Sequence, residues 1–437
     1  MLKTTQLTSF DGTEHTLSAV ARPERYGDLS RVLSENQPLI ARGAGLSYSA
    51  ASMGDQVTSV DMRYFNRILA FDETTGSITV EPGIAIGSLL DFLASRGFGL
   101  PVVPGYPAIT VGGCVAFDVH GKSQFHSGNF GEWVEELELA HGAHGTLTCS
   151  RSANPAIFEL TLGGFGLTGV ILRVRLRTQR LTGSAIQLST MAARNLEHAA
   201  EIMETHAAEV AALYSWHNLT RLGKRFGSGF VFMEHFVDAE ARAPKKPGRF
   251  QIAERAPLPC WNRMSSRIAL GVYETLKRSQ KPQVIQLRPG FFPIEGLEGY
   301  YVAFGKRGFR EYQLIVPRDR FTAFERELSQ LIARERVPIT LASLKLFRGS
   351  QNRLRFRASG ICLAIDAPAT PGCAALFRGL DELAERHGAC VNLAKDSRLD
   401  TTTCKRLFPD YDAFKDELGA YDPERRCASK LRERIGV

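Results

Sequence analysis

The chain has 437 residues, which is too long for one ordinary hydrophobic core, so we expect two or three domains. Its 44% hydrophobic and 23% charged residues are typical of a globular protein, and the sequence has no run of about 18 apolar residues that would predict a membrane-spanning helix. The eight cysteines form neither a C-x-x-C pair nor a zinc-type cluster, and no signal-peptide pattern opens the chain. These features exclude a disulfide-rich secreted class and predict reduced, mostly buried thiols in a cytoplasmic protein.

The net charge of +8 is concentrated in one stretch. Residues 242–281 carry ten lysines and arginines against only Glu254 and Glu274. A local surplus of this kind indicates an anionic partner, either a nucleic acid or an anionic membrane surface, unless the stretch is simply a solvated loop.

The first 180 residues are rich in glycine and in short β-type runs. The segments QVTSVDM (56–62), SITVEPG (77–83) and GVILRVRLRT (169–178) cluster β-branched residues between turn residues and therefore predict strands. Composition changes near residue 180, where we place a domain boundary. A helix is predicted at about 191–214 from an apolar stripe with spacings of three and four, formed by Leu196, Ala199, Met203, Ala207, Val210 and Tyr214.

The region after this helix predicts a second domain. Five prolines between 240 and 282 indicate a long insertion or flap. The segments that follow predict a β-α-β-β-α order with a mostly antiparallel sheet: strand 311–317, a helix from Asp319 as N-cap, strands 339–347 and 360–368, and helix 375–388. The expected class is therefore α+β rather than doubly wound, with domains 1–180 and 181–389 and a segment 390–437 that returns to the first domain.

Three glycine-rich loops precede residue 170. They are RGAGLSYS (42–49), PGYPAITVGGCVAFDVHGK (104–122) and LGGFGLTG (162–169). Glycines allow backbone N–H groups to crowd around an anion such as a diphosphate, and the pattern is not the G-x-G-x-x-G of a nicotinamide site. The three loops together predict a large, flat, phosphate-bearing cofactor that is held mainly by the backbone.

These loops, together with GNFGEWVEELEL (128–139), resemble the FAD-binding domain (PCMH type) of the vanillyl-alcohol oxidase family of flavoproteins. Within that family the chain is most similar to the decaprenylphosphoryl-β-D-ribose 2′-oxidases, and the resemblance extends to LKLF (344–347), GICLAID (360–366), LAKDSR (393–398) and the tail 421–435. It implies a two-domain FAD oxidoreductase with an α+β substrate cap. Some relatives attach FAD through a histidine in the first loop, where this chain has Leu46 and Ser47, so we expect non-covalent FAD.

The resemblance also implies residue roles. Lys395 and His120 would be catalytic, with Lys395 as the base. The FAD contacts would be Arg42, Gly43, Ala44, Gly45, Leu46, Ser47, Tyr48, Pro104, Gly105, Thr110, Gly112, Gly113, Ala116, His120, Gly121, Lys122, Gly166, Val170 and Tyr421. The substrate contacts would be Lys122, Trp216, Gln313, Lys345, Cys362 and Lys395, of which Lys122 would bind the substrate phosphate as a fixed cation. No metal is expected.

The activity implied by the resemblance is oxidation of C2 of a polyprenylphosphoryl-β-D-ribose, as one half of an epimerisation to the arabinose form used in cell-wall arabinan. A separate NAD(P)H-dependent short-chain reductase would act on the keto product. Two alternatives stay open: a sugar or aldonolactone oxidase without a lipid substrate, and a nucleic-acid-binding or scaffold protein built on a degenerate flavin fold. We favour an enzyme without a nucleic-acid partner, located at the inner face of a membrane through its basic stretch and through Leu258, Trp261, Ile268 and Leu270.

Overall fold

The structure, a computed structural model, describes residues 3–35, 37–221, 223–241, 255–278 and 280–437. Arg242, Lys245, Lys246, Arg249 and Glu254 of the basic stretch lie outside the described residues. None of the helices in the described ranges has both the length and the apolar character that a membrane crossing requires.

The first part of the chain forms three β-sheets with short helices between the strands. A mixed four-stranded sheet has the order β1-β2-β4-β3, an antiparallel five-stranded sheet has the order β5-β6-β10-β8-β9, and β11 pairs with β7. The strands are β1 Lys3–Thr8, β2 His15–Ala21, β3 Leu39–Arg42, β4 Thr58–Asp61, β5 Ile68–Asp72, β6 Ser77–Val80, β7 Phe98–Gly99, β8 Val134–His141, β9 Gly145–Ser150, β10 Val170–Arg177 and β11 Gln179–Arg180. The helices are α1 Tyr26–Ser34, α2 Ile86–Ala94, α3 Val111–Ala116, α4 Gln124–Ser127 and α5 Pro155–Thr161.

The cap that follows contains two four-stranded antiparallel sheets, β13-β14-β12-β15 and β17-β18-β16-β19. Its strands are β12 Ala185–Ala193, β13 Ala212–Asn218, β14 Ser228–Val237, β15 Gln283–Gln286, β16 Phe309–Val316, β17 Leu341–Phe347, β18 Gly360–Pro368 and β19 Cys390–Val391. Its helices are α6 Leu196–His206, α7 Arg263–Arg278, α8 Leu287–Phe291, α9 Gly299–Val302, α10 Phe321–Glu335 and α11 Pro371–His387. The Leu344 N–H donates to Ser215 Oγ at 2.8 Å, which joins β17 to β13 and makes the two sheets adjacent.

The C-terminal residues return to the first part of the chain. They form α12 Thr401–Leu407, α13 Tyr411–Tyr421 and α14 Lys430–Ile435. Cys427 forms a parallel bridge with Leu39 of β3, and the Lys430 N–H donates to the Met53 carbonyl at 2.8 Å. Because β3 leads into the first glycine loop, the tail supports that loop from behind.

The predicted strands and the β-α-β-β-α order are present, but two local predictions are wrong. The helix predicted at 191–214 is shorter, because Asn195 caps its start by accepting from the His198 N–H at 2.9 Å, and because Tyr214 belongs to β13, where it pairs with Phe232 of β14. Asp319 does not cap α10, since it lies in the short 3-10 turn Arg318–Arg320 that precedes the helix. The sheet of the cap ends with β19, just past the boundary predicted at 389.

Candidate active site

A deep cleft lies between the glycine loops and the cap. The first glycine loop forms one wall and the start of α3 forms another. The lining residues that the sequence analysis assigned to the cofactor or substrate are Arg42, Gly43, Ala44, Gly45, Leu46, Ser47, Tyr48, Gly105, Thr110, Gly112, Gly113, Ala116, Gly166 and Lys395. The cleft therefore brings together residues of three loops that are far apart in sequence.

Glycines are required where the walls of the cleft meet. The Thr110 hydroxyl caps α3, and Gly112 lies two residues later. A Cβ at Gly112 would come 2.9 Å from Pro82 Cβ. A Cβ at Gly43 would overlap Thr110 Oγ1. Gly45 has φ +71° and lies against the Arg42 guanidinium, so a side chain there would be strained as well as crowded. The loops can approach each other this closely only because these side chains are absent.

Arg42 supplies a positive charge to the glycine-lined end of the cleft. Its Nη1 donates to Ser52 Oγ at 2.9 Å, and burial lowers the pKa of the guanidinium from its usual value. Within the described ranges no carboxylate is within ion-pair distance of it. A half-buried cation with no carboxylate at ion-pair distance, beside backbone that no side chain covers, fits the diphosphate of FAD.

The cap contributes one face of the sheet that contains β16, β17 and β18. Gln313 pairs with Ala364, and Lys345 pairs with Cys362. Because side chains alternate between the two faces of a strand, every second residue shares one face. The residues of this face, including the predicted substrate residues Gln313, Lys345 and Cys362, are not among those that line the cleft. The chemically capable residues on this face are Glu311, Gln313, Lys345, Cys362 and Asp366.

Lys395 lies where this sheet face meets the cleft. Its Nζ donates to Glu311 Oε2 at 3.2 Å and lies 4.0 Å from the centre of the Tyr48 ring. Glu311 is buried, and burial together with the charge of Glu311 raises the pKa of Asp366 well above its ordinary value. Lys395 and Glu311 therefore form the ion pair of this corner.

His120 and Gln313 form a polar contact between the second glycine loop and the cap. His120 Nε2 is 3.5 Å from Gln313 Oε1, and Asn392 Nδ2 donates to the same oxygen at 2.6 Å. Burial, together with the positive charges of Lys345 and Lys395, lowers the pKa of His120 well below its usual range. The imidazole is therefore neutral at pH 7, so it can donate or accept a hydrogen bond but carries no charge.

Cys362 and Lys345 are neighbours across the strand pair. Gln313 Nε2 donates to Cys362 Sγ at 3.4 Å, and burial raises the pKa of this thiol to about 12. Burial also lowers the pKa of Lys345, and the charge of Lys395 adds to that effect. Among the described residues Lys345 has no ion-pair partner, since Glu311 pairs with Lys395 instead.

Two predicted substrate residues lie in other contacts. Lys122 Nζ is 2.5 Å from Glu234 Oε1, donates to the Gly290 carbonyl and lies 4.9 Å from the centre of the Tyr214 ring. Its charge is thus already compensated inside the cap. Trp216 is buried, and its ring lies 4.6 Å from the Tyr273 ring of α7.

Several predicted cofactor residues are not among those that line the cleft. A Cβ at Gly121 would come 2.7 Å from the Val103 carbonyl oxygen, so this glycine is required by loop packing, and Pro104 is buried next to it. Val170 packs in a core cluster at the start of β10. Tyr421 lies with its ring 4.5 Å from the His144 ring. His120 and Lys122 are also outside the lining, in the contacts described above.

Other residues of the site were not predicted from the sequence. Glu311 lies two positions before Gln313, so strand alternation contains a signal for it. Asn392 gave no such signal, because only the pairing of β19 with β16 brings it to Gln313. Further cleft-lining residues are Phe10, Ala41, Ala51, Ser52, Met62, Pro82, Tyr106, Ile109, Phe117, Val119, Phe165, Gly169, Ile171, Ile294, Tyr301 and Ala394.

Comparison with known proteins places relatives of this chain among FAD-binding proteins. A family model described as an FAD binding domain matches residues 17–150. Decaprenylphosphoryl-β-D-ribose oxidase of Mycolicibacterium smegmatis is 26% identical over 410 residues, which are 91% of this chain and 89% of that protein. A Streptomyces coelicolor protein, known as an uncharacterised protein in the mprA 5′ region, is 30% identical over 81% of this chain and 100% of its own length. Mouse L-gulonolactone oxidase is 29% identical over 36% of each chain.

Proposed function

Since the chain belongs to the vanillyl-alcohol oxidase type of FAD flavoproteins, a class of FAD-dependent oxidoreductases that act on CH–OH groups, we propose that its substrate is a lipid-linked sugar. The reaction is oxidation of a secondary alcohol, C2 of a polyprenylphosphoryl-β-D-ribose, to the ketone. Support comes from the relative that is named for such a substrate and that aligns with 91% of the chain.

One observation in the cap favours an anionic substrate with an apolar tail. Lys345 is a cation without an ion-pair partner in the described part of the chain, and Leu341 and Ser343 precede it on the same sheet face. Leu341 packs against the aromatic cluster of Trp216, Phe230 and Phe232. A phosphate at Lys345 would therefore have the sugar toward Lys395 and a polyprenyl chain toward apolar side chains.

The residues around Lys395 can handle the proton of the substrate hydroxyl. When bound, FAD supplies a hydride acceptor. The Lys395–Glu311 pair can take up one proton. The two side chains together have two sites for a proton, and the ion pair occupies one of them. Neutral His120, whose Nε2–H donates to Gln313 Oε1, can accept a hydrogen bond from a sugar hydroxyl at Nδ1 and adds no charge to the site.

The product requires a second enzyme. Loss of a hydride from C2 and a proton from its hydroxyl leaves a ketone on a sugar that is still attached to the lipid phosphate. An NAD(P)H-dependent short-chain reductase that returns a hydride to the opposite face of that carbon would complete an epimerisation. We therefore propose such a reductase as a partner. We also propose that the epimerised sugar is used in cell-wall arabinan.

Anaerobic reduction of the bound flavin tests the substrate. The purified FAD-loaded protein is mixed with polyprenylphosphoryl ribose, polyprenyl phosphate, free ribose and an aldonolactone, and the loss of flavin absorbance is recorded. We expect bleaching by the first compound only. Bleaching by the aldonolactone, with none by the lipid-linked sugar, would establish the alternative of a lactone oxidase. Replacement of Lys345 by Met should raise KM for the phosphate-bearing substrate and leave the maximal rate of reduction nearly unchanged.

A further inference from the structure

Helix α7 presents an apolar stripe to solvent. Met264, Ile268 and Val272 recur every four residues and are 71%, 59% and 54% exposed. Leu258, in the segment before the helix, is 76% exposed. Side chains four residues apart share a helix face, so the three helical residues form one continuous surface. Contiguous exposed apolar residues on a folded protein indicate a contact with a partner or a lipid surface.

The opposite face of α7 holds the helix on the cap. Ser266, Leu270 and Glu274 are buried, and Leu270 packs in the aromatic cluster that includes Trp216 and Phe230. The exposed stripe is therefore the outer side of a helix whose inner side packs on the cap. The helix is fixed to the sheet by one side and displays the other.

The contacts that anchor α7 and the segment before it contradict part of the membrane contact predicted from the sequence. Leu270 and Trp261 were expected to face a membrane. Leu270 is buried against the sheet, and the Trp261 Nε1–H donates to the Tyr300 carbonyl at 3.2 Å. Of the four predicted apolar contacts, Leu258 and Ile268 are exposed, and Met264 and Val272 join them.

Positive charge flanks the stripe. Arg263, Arg267 and Arg278 lie on α7, and Arg221 and Arg225 lie beside it, where both pair with Glu274 at 3.3 and 3.4 Å. Arg278 shares the same carboxylate at 3.2 Å. Glu274, the sole acidic residue of α7, is buried and pairs with three of these five arginines, so the net charge around the helix is positive.

We propose that the exposed face of α7 is a docking surface for an anionic lipid bilayer, into which Met264, Ile268 and Val272 insert while the arginines contact the headgroups. The apolar stripe alone would fit a protein partner equally well. The flanking cations decide for the bilayer, since a helix with an apolar face bordered by arginines matches the acyl and headgroup layers of an anionic membrane surface.

For the lipid-linked substrate proposed above, the docking surface would also place the membrane close to the active site. The inner face of α7 covers the aromatic cluster beside Leu341, and Leu341 shares a sheet face with Lys345. A bilayer at the outer face of α7 would thus lie close to the apolar surface that leads to the active site. A lipid-linked sugar could then reach Lys345 while part of its chain stays in the membrane.

Co-sedimentation of the FAD-loaded protein with vesicles tests the docking surface without any substrate. Wild type is compared on phosphatidylcholine vesicles with and without phosphatidylglycerol, at low and high salt. We expect binding only to the anionic vesicles, weakened by salt. The variant Met264→Ser/Ile268→Ser/Val272→Ser should bind at least about tenfold more weakly. The matched control Leu17→Ser/Leu69→Ser, which removes exposed apolar residues elsewhere, should bind like wild type.

A second variant keeps the test independent of folding defects. Arg263→Gln/Arg267→Gln leaves the apolar stripe intact. This variant should bind anionic vesicles more weakly, and its binding should depend less on salt. Wild-type affinity in the triple serine variant, equal binding to neutral vesicles, or preferential binding to DNA would overturn the proposal. So would a wild-type dimer that the serine variant dissociates, in the absence of vesicle binding. Because the readout needs no substrate, failure of the proposed function leaves this test unaffected.

Discussion

Lys395 donates a hydrogen bond to Glu311 at 3.2 Å across the boundary between the cleft and the cap. Lys395 belongs to the turn after β19, whereas Glu311 belongs to β16. The resemblance to known flavoproteins implied that Lys395 alone is the base. The structure gives it a buried carboxylate partner, Glu311. The proton acceptor is therefore better described as the pair than as the lysine alone.

Replacement of Lys395 by Ala tests this role. We expect the variant to retain FAD and to reduce it at least about 100-fold more slowly at saturating substrate, since removal of a positioned general base costs a factor of about 100 to 10,000. The measurement is anaerobic stopped-flow reduction of the flavin.

The outcome separates a base from a binding cation. If Lys395 only holds the substrate phosphate, the variant will show a raised KM and a rate at saturation within tenfold of wild type. Glu311→Gln is the matched control, because it keeps the shape of the partner but removes its charge. We expect Glu311→Gln to slow reduction at saturating substrate, which a phosphate clamp at Lys395 does not predict.

The mode of cofactor attachment gives a second prediction. Leu46 and Ser47 line the cleft and offer neither an imidazole nor a thiol for a bond to the flavin. Each cysteine of the chain is free, and Cys260 is the exposed one. We expect acid precipitation to release all the flavin into the supernatant, measured by its absorbance. A yellow pellet would contradict the prediction and would indicate a covalent bond.

Much of the fold could be predicted because its signals are local. Strands such as β6 and β10 show β-branched runs between turn residues, and the glycine loops mark places where backbones meet closely. The helix predicted at 191–214 failed because Tyr214 continues an apolar spacing that suits a helix, while its pairing with Phe232 is a long-range contact that no local pattern reveals.

The site could be predicted only as far as motifs reached. The first glycine loop, Thr110 and Lys395 stand in recognisable segments, and all of them line the cleft. Lys122 also stands in a recognisable segment, yet its partner Glu234 lies 112 positions away on β14. The sequence contains the lysine but not the ion pair, so its assignment to the substrate phosphate could not be judged from the sequence.

The Lys122–Glu234 pair leads to a third prediction. Both side chains are nearly buried, and burial raises the pKa of Glu234 although the charge of Lys122 opposes that shift. Lys122→Met leaves a buried carboxylate without its partner, which typically costs about 3–5 kcal/mol. We expect a lower free energy of unfolding and partial recovery in Lys122→Met/Glu234→Gln. The measurement is chemical unfolding at saturating FAD.

A substrate role for Lys122 predicts a different result. The single variant would then keep wild-type stability but show a raised KM, and the added Glu234→Gln change would not restore it. Recovery of stability in the double variant, with KM little affected in either, would identify the pair as a structural link between the second glycine loop and the cap.

His217 gives a prediction for the pH dependence of stability. Its side chain is buried, Nδ1–H donates to the Gly227 carbonyl at 2.8 Å, and Nε2 accepts from the Ser215 hydroxyl at 2.7 Å. Burial lowers the pKa of His217 to about 4. Because Ser215 also contacts Leu344, the neutral imidazole supports the junction of the two cap sheets.

The sign of the effect follows from which state binds protons. Below a pKa of about 6.5 the unfolded chain protonates this histidine, whereas the folded chain does not until about pH 4, so the stabilisation is present above pH 6.5 and is lost as the pH falls toward 4. The share of His217 in that loss is about 2 kcal/mol at pH 5. In His217→Gln the free energy of unfolding should be lower at pH 7 but fall by about 2 kcal/mol less between pH 7 and pH 5. Unfolding by urea at saturating FAD measures it, with the exposed His15→Gln as control. Parallel pH curves for wild type and His217→Gln would show that folding does not lower the pKa of the His217 imidazole.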